Sequence, residues 1–457
     1  MGIALDLGKS DQERYRLSSP PAMVLFLALL VLAASAAAAP AVAQDAQQAF
    51  IAQLGAALGV PAERLTPDTD LVDDLLLDRL QVYEALGSLC ESLGLQAPPA
   101  ETTRISDILD WLEEAPPLVR QRGRDAEAGA VMQRVFFATN RRETGATGPT
   151  GYFGGGRSRQ TKATLGYAYV SIPPGHKTGA LESPLLQTST TLDARMYFAV
   201  QHLEVQDEHA FYGNLSRLLQ QQHMQDGIVV FVHGYNVTFD EAVKRTAQLA
   251  YDSGFAGVPI AFSWPSEGRM LAYNADREDV TWSIHYIERF LAELRQRMPG
   301  KKIHLIAHSM GSQGLIGALF RMALRKQQET LFDTVVLAAP DFDADYFRGQ
   351  IAGDVRHLAS TWVVYASDKD SALDFSTTLN AIKRLGQPVT PLADMQVVDA
   401  TGVEVTPWNV PEFHSYYATK KRVIDDIMAA LRGASPADRR LQRIAIEPFA
   451  YWRLAEQ

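Results

Sequence analysis

The stretch "HLIAHSMGSQGLIG", residues 304–317, has the pattern of a strand, a sharp turn and a helix. The turn resembles the nucleophile elbow Gly-x-Ser-x-Gly, with Ala307 at the first glycine position and Gly311 at the second. Ala307 adds one methyl group, which the turn can accommodate if the φ angle of Ala307 is negative. The pattern predicts that Ser309 is a nucleophile. The alternative is a serine that caps the N-terminus of the following helix.

Apolar strand-like runs alternate with helical stretches on both sides of this turn, from residue 131 to about 433. Several of these runs have about five apolar residues and end in polar or small residues. The alternation is typical of an α/β fold with a mainly parallel central sheet. In such sheets, site residues gather at the carboxyl ends of the strands. We therefore expect the partners of Ser309 to lie there.

A serine nucleophile needs a base, because a free hydroxyl is weakly nucleophilic near neutral pH. In folds with this elbow the order along the chain is serine, acid, histidine. Only His357 and His414 follow Ser309. His357 precedes the predicted strand "TWVVYAS", whereas His414 lies after the last predicted strand of this region, in "WNVPEFHSYY", which we predict to be a loop. Position therefore predicts His414 as the base, and a surface histidine is the alternative.

Three aspartates are candidates for the acid that orients this histidine. Asp368 and Asp370 follow the strand "TWVVYAS", and Asp341 follows the preceding strand, "TVVLAAP". The later strand is the usual place for the acid. We favour Asp370, with Asp368 and then Asp341 as alternatives.

An oxyanion hole requires two backbone N–H groups directed at the developing charge. The residue after the nucleophile, Met310, should supply one of them. Tyr235, which follows a predicted buried strand, should supply the other, because Gly234 allows the backbone to approach a substrate closely. His233 precedes Gly234, and we predict that it holds this loop in place.

Composition limits the classes of function. The chain has 457 residues, 47% hydrophobic and 21% charged, which is typical of a globular protein with more than one domain. A net charge of −10 argues against nucleic acid as a partner. Cys90 is the single cysteine, so neither an intramolecular disulfide nor a multi-cysteine metal site can form. We predict no metal and no cofactor, because the sequence contains no HExxH motif and no Cys/His cluster.

The N-terminus resembles an export signal. An apolar run at residues 22–39 precedes Ala41-Val42-Ala43, which fits a small-residue cleavage site. We therefore predict a signal peptide at residues 1–43 and an exported, periplasmic or secreted protein. The alternative is an uncleaved helix that anchors the protein. Contact of the rest of the chain with a membrane is left open.

Residues 46–115 resemble an acyl carrier protein, an all-α bundle. The likeness rests on "ERLTPDTDLVDDLLLDRLQVYEALGSLCESLGLQAPPAETTRISDILDWLEEA", in which Arg79 occupies the position of the serine that carries phosphopantetheine. Because Arg79 has no hydroxyl group, we predict no covalently attached acyl chain. A role in docking a protein partner, or as a lid, is an alternative for this unit. Residues 116–130 read as a linker, and residues 434–457 as a C-terminal tail that packs on the protein.

Residues 131–433 resemble a bacterial α/β-hydrolase family of unknown function that is related to esterases and lipases. Eight segments in the same order carry the resemblance: "FFATNR", "VSIPPGHKTGALE", "FVHGYN", "FSWPSEG", "AHSMGS", "LAAPDFD", "YASDKDSAL" and "HSYY". The resemblance supports Asp370 as the acid through the form Ser-x-x-Asp-x-Ala-Leu. It implies an α/β-hydrolase fold but no particular substrate.

We therefore expect an exported serine hydrolase that cleaves a small-molecule or lipid-like carboxylic ester through an acyl-enzyme. An acyltransferase that uses the same residues differs only in the acceptor. The alternative from another class is an inert docking protein, in which the carrier-like unit binds a partner.

Overall fold

The computed structural model describes most of the chain from residue 40 to residue 454. The described residues are 40–58, 60–75, 82, 86, 102–114, 130–182, 195–221, 224–269, 272–325, 329–370, 372–373, 376–377, 382–403 and 410–454. The apolar run at residues 22–39, nearly all of the predicted linker, Arg79 and Cys90 lie outside these residues.

The chain divides into two compact units. The first comprises Met1–Gly123 together with Pro184–Thr188, and the second comprises Arg124–Ser183 together with Ser189–Gln457. The predicted carrier-like region falls in the first unit. All the candidate site residues fall in the second unit.

The described part of the first unit contains helix α1 (Pro40–Leu58), a 3₁₀ turn (Ala62–Arg64) and helix α2 (Ile105–Glu114). Its core is apolar and includes the fully buried side chains of Leu54 and Ile108. Val82 and Leu86, four positions apart in the sequence, are both buried. The likeness to a carrier protein stays a prediction, because the attachment position lies outside the described residues.

Within its described residues, the second unit contains a sheet of eleven strands and a separate two-stranded sheet. The strands are β1 (Val131–Thr139), β2 (Arg141–Glu143), β3 (Phe153–Arg157), β4 (Thr164–Ile172), β5 (Ala199–Gln206), β6 (Gly227–Val232), β7 (Gly257–Ser263), β8 (Ile303–His308), β9 (Phe332–Ala338), β10 (Ala359–Ala366), β11 (Gln396–Asp399), β12 (Leu441–Ile446) and β13 (Phe449–Leu454). The order in the large sheet is β12-β13-β11-β10-β9-β8-β6-β7-β1-β4-β5, and β2 pairs with β3.

Eight neighbouring strands, from β13 to β1 in this order, are parallel, and antiparallel pairs close both edges. Every residue of β6, β7 and β8 is buried. Strands buried on both faces read as continuous apolar runs, which is why the sequence located them well. The predicted α/β fold with a mainly parallel sheet is confirmed for this unit.

Helices lie between the strands of the second unit. Those with at least ten residues are α3 (Glu208–Leu218), α4 (Phe239–Asp252), α5 (Tyr273–Arg297), α6 (Gly311–Leu324), α7 (Val410–Thr419) and α8 (Lys421–Leu431). Among the residues that the structure describes, no helix combines the length and the hydrophobicity needed to span a membrane.

The C-terminal segment extends the sheet. Strands β12 and β13 form a hairpin, and β13 lies parallel to β11. Arg439, just before β12, is paired with Asp426 of α8 at 2.7 Å, and both side chains are fully buried. The segment that we predicted to be a packed tail therefore continues the central sheet of the second unit.

Candidate functional site

Ser309 occupies the sharp turn between β8 and α6. Its φ angle is +52°, in the left-handed region that residues other than glycine rarely adopt. The backbone N–H of Ser309 donates to the carbonyl of Ala338 in the neighbouring strand at 3.0 Å. Ala307 belongs to β8 and is not among the residues with positive φ, so the condition for accommodating its methyl group is met. A strained backbone at such a turn is typical of functional positions.

Gly311 allows helix α6 to start close to the end of the neighbouring strand β6. A Cβ atom at this position would lie 2.2 Å from the carbonyl oxygen of His233 and 2.7 Å from that of Val232. Both contacts are with backbone, which has little freedom to move. The second glycine of the elbow is therefore a steric requirement in this chain.

His414 and Asp370 form a hydrogen-bonded pair. Nδ1 of His414 lies 2.8 Å from Oδ2 and 3.0 Å from Oδ1 of Asp370. The carboxylate of Asp370 is fully buried, and the side chain of His414 is 15% exposed. The pair fixes the tautomer of the neutral imidazole, with the proton on Nδ1, and leaves Nε2 able to accept a proton.

The loop predicted around His414 is instead a helix, α7, and His414 lies in its second turn. The prediction gave too much weight to Pro411 and Asn409. Pro411 is the second residue of α7, and proline is compatible with the first turn of a helix, where its missing N–H would have no intrahelical partner. The histidine is therefore carried by a regular element.

The surroundings of His414 raise its pKa above 6.5. Burial lowers this pKa, but the charge of Asp370, its hydrogen bond and the more distant charge of Asp341 together outweigh the burial. The imidazolium form is therefore stabilised. When His414 takes a proton from a nucleophile, these surroundings stabilise the positive charge that its ring acquires.

His308 connects His414 to the elbow. Nε2 of His308 is 3.2 Å from the backbone carbonyl oxygen of His414, and the two rings are 4.7 Å apart. The ring of His308 also stacks on the ring of Tyr417 at 4.2 Å. Burial, the nearby His414 and the positive charge of Arg245 hold the pKa of His308 well below 6.5. Because His308 is neutral, its Nε2–H can donate to the backbone carbonyl of His414. His308 directly precedes Ser309, so this bond connects the helix of His414 to the elbow.

The structure distinguishes the alternative acids. Asp368 is exposed, and its Oδ1 accepts the N–H of Val389 at 2.8 Å. Asp341 is buried, and its carboxylate accepts hydrogen bonds from Tyr273 at 2.7 Å and Ser376 at 2.6 Å. Of the three candidates, Asp370 is the one that the structure pairs with His414.

His357 lies away from Ser309. It belongs to a short 3₁₀ turn, Arg356–Leu358, directly before β10. The central strands are parallel, so β10 begins where β8 also begins, and Ser309 follows the opposite, carboxyl end of β8. The predicted preference for His414 over His357 agrees with this placement.

The loop after β6 runs beside the serine. A Cβ atom at Gly234 would lie 3.0 Å from Cβ of Ser309 and 2.8 Å from Nδ1 of His308. The ring of Tyr235 packs edge-on against Tyr273 at 5.4 Å. Met310 directly precedes helix α6, and its N–H has no backbone acceptor among the described residues. The two predicted oxyanion donors are thus on the two segments that flank Ser309.

Sequence reasoning missed the residue that supports this loop, Arg141. Its guanidinium is fully buried and donates to Val237 and Ser266 carbonyls, each at 2.7 Å, and to the Ser263 hydroxyl at 2.8 Å. Burial lowers the pKa of Arg141 to about 9, against the opposing charge of Asp276. The available signal was an arginine directly after the apolar strand "VFFATN".

His233 and Asp276 complete the support. Nδ1 of His233 lies 2.8 Å from the Gly234 carbonyl, and its ring stacks on Trp264 at 4.9 Å. Burial and the charge of Arg141 lower the pKa of His233 to about 3, so the ring is neutral. Asp276, also fully buried, accepts the backbone N–H of Asn236 at 3.1 Å. These contacts agree with the prediction that His233 holds the loop in place.

The acidic groups at this edge of the sheet are held by protein partners. Asp370 is bonded to His414, and Asp341 to Tyr273 and Ser376. Across the described ranges, no three His, Cys, Asp or Glu side chains are arranged to hold a metal ion together.

Comparison with known proteins places the site within a matched region. Residues 207–430 match the family described as "Alpha/beta hydrolase of unknown function (DUF900)". An uncharacterised protein of Nostoc sp. (strain PCC 7120) is 31% identical over 110 residues, an alignment that takes in 19% of this chain. The chain spans only 29% of the length of that curated relative.

A solved structure from Pectobacterium atrosepticum, described as a YdeN-like hydrolase, is 15% identical and covers 46% of this chain and 96% of its own. Its TM-score of 0.22 is too low to support any detailed comparison. The family match and the observed α/β architecture support an α/β-hydrolase family of unknown function for this part of the chain.

Proposed function

We propose that this protein is a serine hydrolase that cleaves a carboxylic ester through an acyl-enzyme on Ser309. One relationship carries the proposal. A serine with a left-handed backbone ends the central strand β8, and a buried Asp370–His414 pair is bonded through its main chain to the residue before that serine. The serine, the acid and the histidine base, Ser309, Asp370 and His414, then occur in the chain order that this fold uses.

In the proposed reaction, the hydroxyl oxygen of Ser309 attacks the ester carbonyl while its proton passes to Nε2 of His414. Asp370 stabilises the resulting imidazolium, and the N–H groups of Met310 and Tyr235 bind the oxyanion. The tetrahedral intermediate collapses with cleavage of the ester C–O bond. The leaving alcohol takes the proton from His414.

Water completes the cycle in the same way. His414 takes a proton from water, whose oxygen attacks the acyl carbonyl of the Ser309 ester. When the second tetrahedral intermediate collapses, the carboxylic acid leaves and the proton returns to Ser309. These steps use only groups of the protein and the two reactants.

A fluorophosphonate probe on the wild-type protein tests the proposal. Labelling should be abolished in Ser309→Ala and retained in Ser312→Ala, a matched change of a buried serine three residues further on. An absence of labelling in the wild type from about pH 6 to about pH 9 would overturn the proposal, because a working base is neutral within that range. That result would favour the inert docking protein.

A series of p-nitrophenyl esters of rising chain length identifies the acyl group that the enzyme prefers. We propose that the N-terminal unit modulates access of such substrates. Deletion of residues 44–116 should then change the rate or the chain-length preference, and an unchanged series would rule this role out.

We also propose that residues 1–43 direct export. N-terminal sequencing of protein from the extracytoplasmic fraction should then begin at Gln44.

A further inference from the structure

A buried histidine outside the proposed site is held between two carboxylates. Nδ1 of His176 lies 2.9 Å from Glu182, and Nε2 lies 2.6 Å from Asp252. The His176 side chain is 5% exposed, and the rings of Phe198 and Tyr251 pack against it. Both ring nitrogens can donate only in the imidazolium form, so this geometry selects a charged histidine.

Asp252 links His176 to α7, the helix that carries His414. It is the last residue of α4, and its Oδ2 accepts a hydrogen bond from the side-chain amide of Gln248 at 2.5 Å. The same amide nitrogen donates to the carbonyl of Ala418 at 2.9 Å. Ala418 lies about one helical turn after His414 on α7.

A second contact reaches the same end of α7. The N–H of Gly179 donates to Oδ2 of Asp252 at 2.7 Å. Gly179 has a φ angle of +88°, and a Cβ atom there would lie 2.1 Å from the carbonyl oxygen of Thr419, the last residue of α7. The segment that holds His176 is therefore packed directly against this helix end.

We propose that His176 is a positioning residue for the proposed reaction, because its ion pairs with Glu182 and Asp252 hold the C-terminal end of α7 and thereby orient the imidazole of His414. The inference rests on the proposed function. The contact from His308 to the carbonyl of His414 holds the same helix four residues before Ala418. Displacements of about 1 Å in a catalytic group can lower rates by about 100-fold, so a remote anchor of this kind has a kinetic effect.

If the ion pairs of His176 with Glu182 and Asp252 anchor α7, activity should be lost at high pH. Burial lowers the pKa of His176, but the hydrogen bonds and charges of Asp252 and Glu182 outweigh it and raise the pKa to about 9, from 6.5. The contribution of the anchor is complete below pH 6.5 and is lost as the pH rises through about 9. Among the described residues, Tyr251 is a further titratable group that packs against this ring, so Tyr251→Phe is a necessary control.

The test is His176→Gln in the full-length protein, assayed with a p-nitrophenyl ester from pH 6 to pH 10, about one unit beyond the expected transition. We expect kcat to fall about 10-fold with KM nearly unchanged, and the loss of activity near pH 9 to disappear. His202→Gln, on the exposed edge strand β5, is the matched control and should behave as the wild type. A variant with wild-type kcat and the same high-pH profile overturns the inference, even if its melting temperature falls.

A second variant and a second measurement cover the remaining outcomes. Gln248→Met removes the side-chain bonds to Ala418, Asp252 and Arg245 but keeps both ion pairs of His176. It therefore tests the link from Asp252 to α7 if His176→Gln does not fold, and kcat should fall in this variant too. Hydrogen exchange of the α7 amides should be faster in both variants than in the wild type, with α6 unchanged. Unchanged exchange in α7 contradicts the inference without any reference to activity. Absence of fluorophosphonate labelling in the wild type, together with faster exchange of α7 in both variants, rejects the proposed reaction but leaves the anchoring of α7 by His176 standing.

Discussion

Asp370 and His414 are 44 residues apart in the chain, yet Oδ2 of the aspartate lies 2.8 Å from Nδ1 of the histidine. Asp370 follows strand β10, and its carboxylate also accepts the N–H of Leu373 at 3.1 Å. The carboxylate is therefore held independently of the histidine. A group with this support can orient an imidazole and stabilise its charged form.

Asp370→Asn should lower kcat by about 1,000- to 10,000-fold with little change in KM, because the amide no longer holds the imidazole in the required tautomer. The measurement is steady-state hydrolysis of a p-nitrophenyl ester, with circular dichroism to confirm folding. Asp368→Asn is the matched control two residues away, where the side chain is exposed. If Asp368→Asn had the larger effect, the assignment of the acid would be wrong.

The pH dependence of kcat/KM should report on His414. The base must be neutral to accept the proton of Ser309, so activity should rise as the pH passes a midpoint above 6.5. Asp341→Asn removes a negative charge that favours the imidazolium, and its midpoint should therefore shift to lower pH. Tyr273→Phe keeps that charge and should leave the midpoint in place. A shift to higher pH in Asp341→Asn would contradict the electrostatic account.

Gly311→Ala should destabilise the protein severely, because the added methyl group overlaps the backbone carbonyls of Val232 and His233 at the end of β6. The control is Gly213→Ala in α3, where a Cβ atom has no neighbour within 4 Å. That change should stabilise the protein by up to about 1 kcal/mol, since alanine favours a helix over glycine. Urea unfolding of both variants measures the difference. Equal stability of the two would show that the elbow can relax.

The candidate site residues whose position after a strand could be predicted from the sequence share one property. Ser309 and Asp370 each follow a strand buried on both faces, so a continuous apolar run marks the position of the side chain that comes after it. His414 was predicted as the base from its order in the chain. The local structure predicted for it, a loop, was wrong, because proline and asparagine occur in loops and at helix starts alike.

The residues that sequence reasoning missed are recognised only by contacts distant in the chain. Arg141 bonds to carbonyls 96 and 125 positions away, and His176 reaches Asp252 across 76 positions. Neither contact leaves a periodic pattern, since each depends on loop positions set by the whole sheet. The hairpin β12–β13 was missed for a related reason. Most residues of its two strands are exposed or half-buried, so they lack the apolar run that marked the central strands.

The hairpin leads to the last prediction, which concerns stability alone. The Arg439 side chain is fully buried with Asp426, and Asp426 also accepts the hydroxyl of Tyr365 at 2.6 Å. Arg439→Leu leaves this buried carboxylate with only the more distant Arg422, at 3.8 Å, which should cost up to about 3–5 kcal/mol of the free energy of unfolding. Arg443→Ala, an exposed change on β12, should have little effect. Urea unfolding distinguishes the two variants, and similar midpoints would show that the C-terminal hairpin is not anchored through this pair.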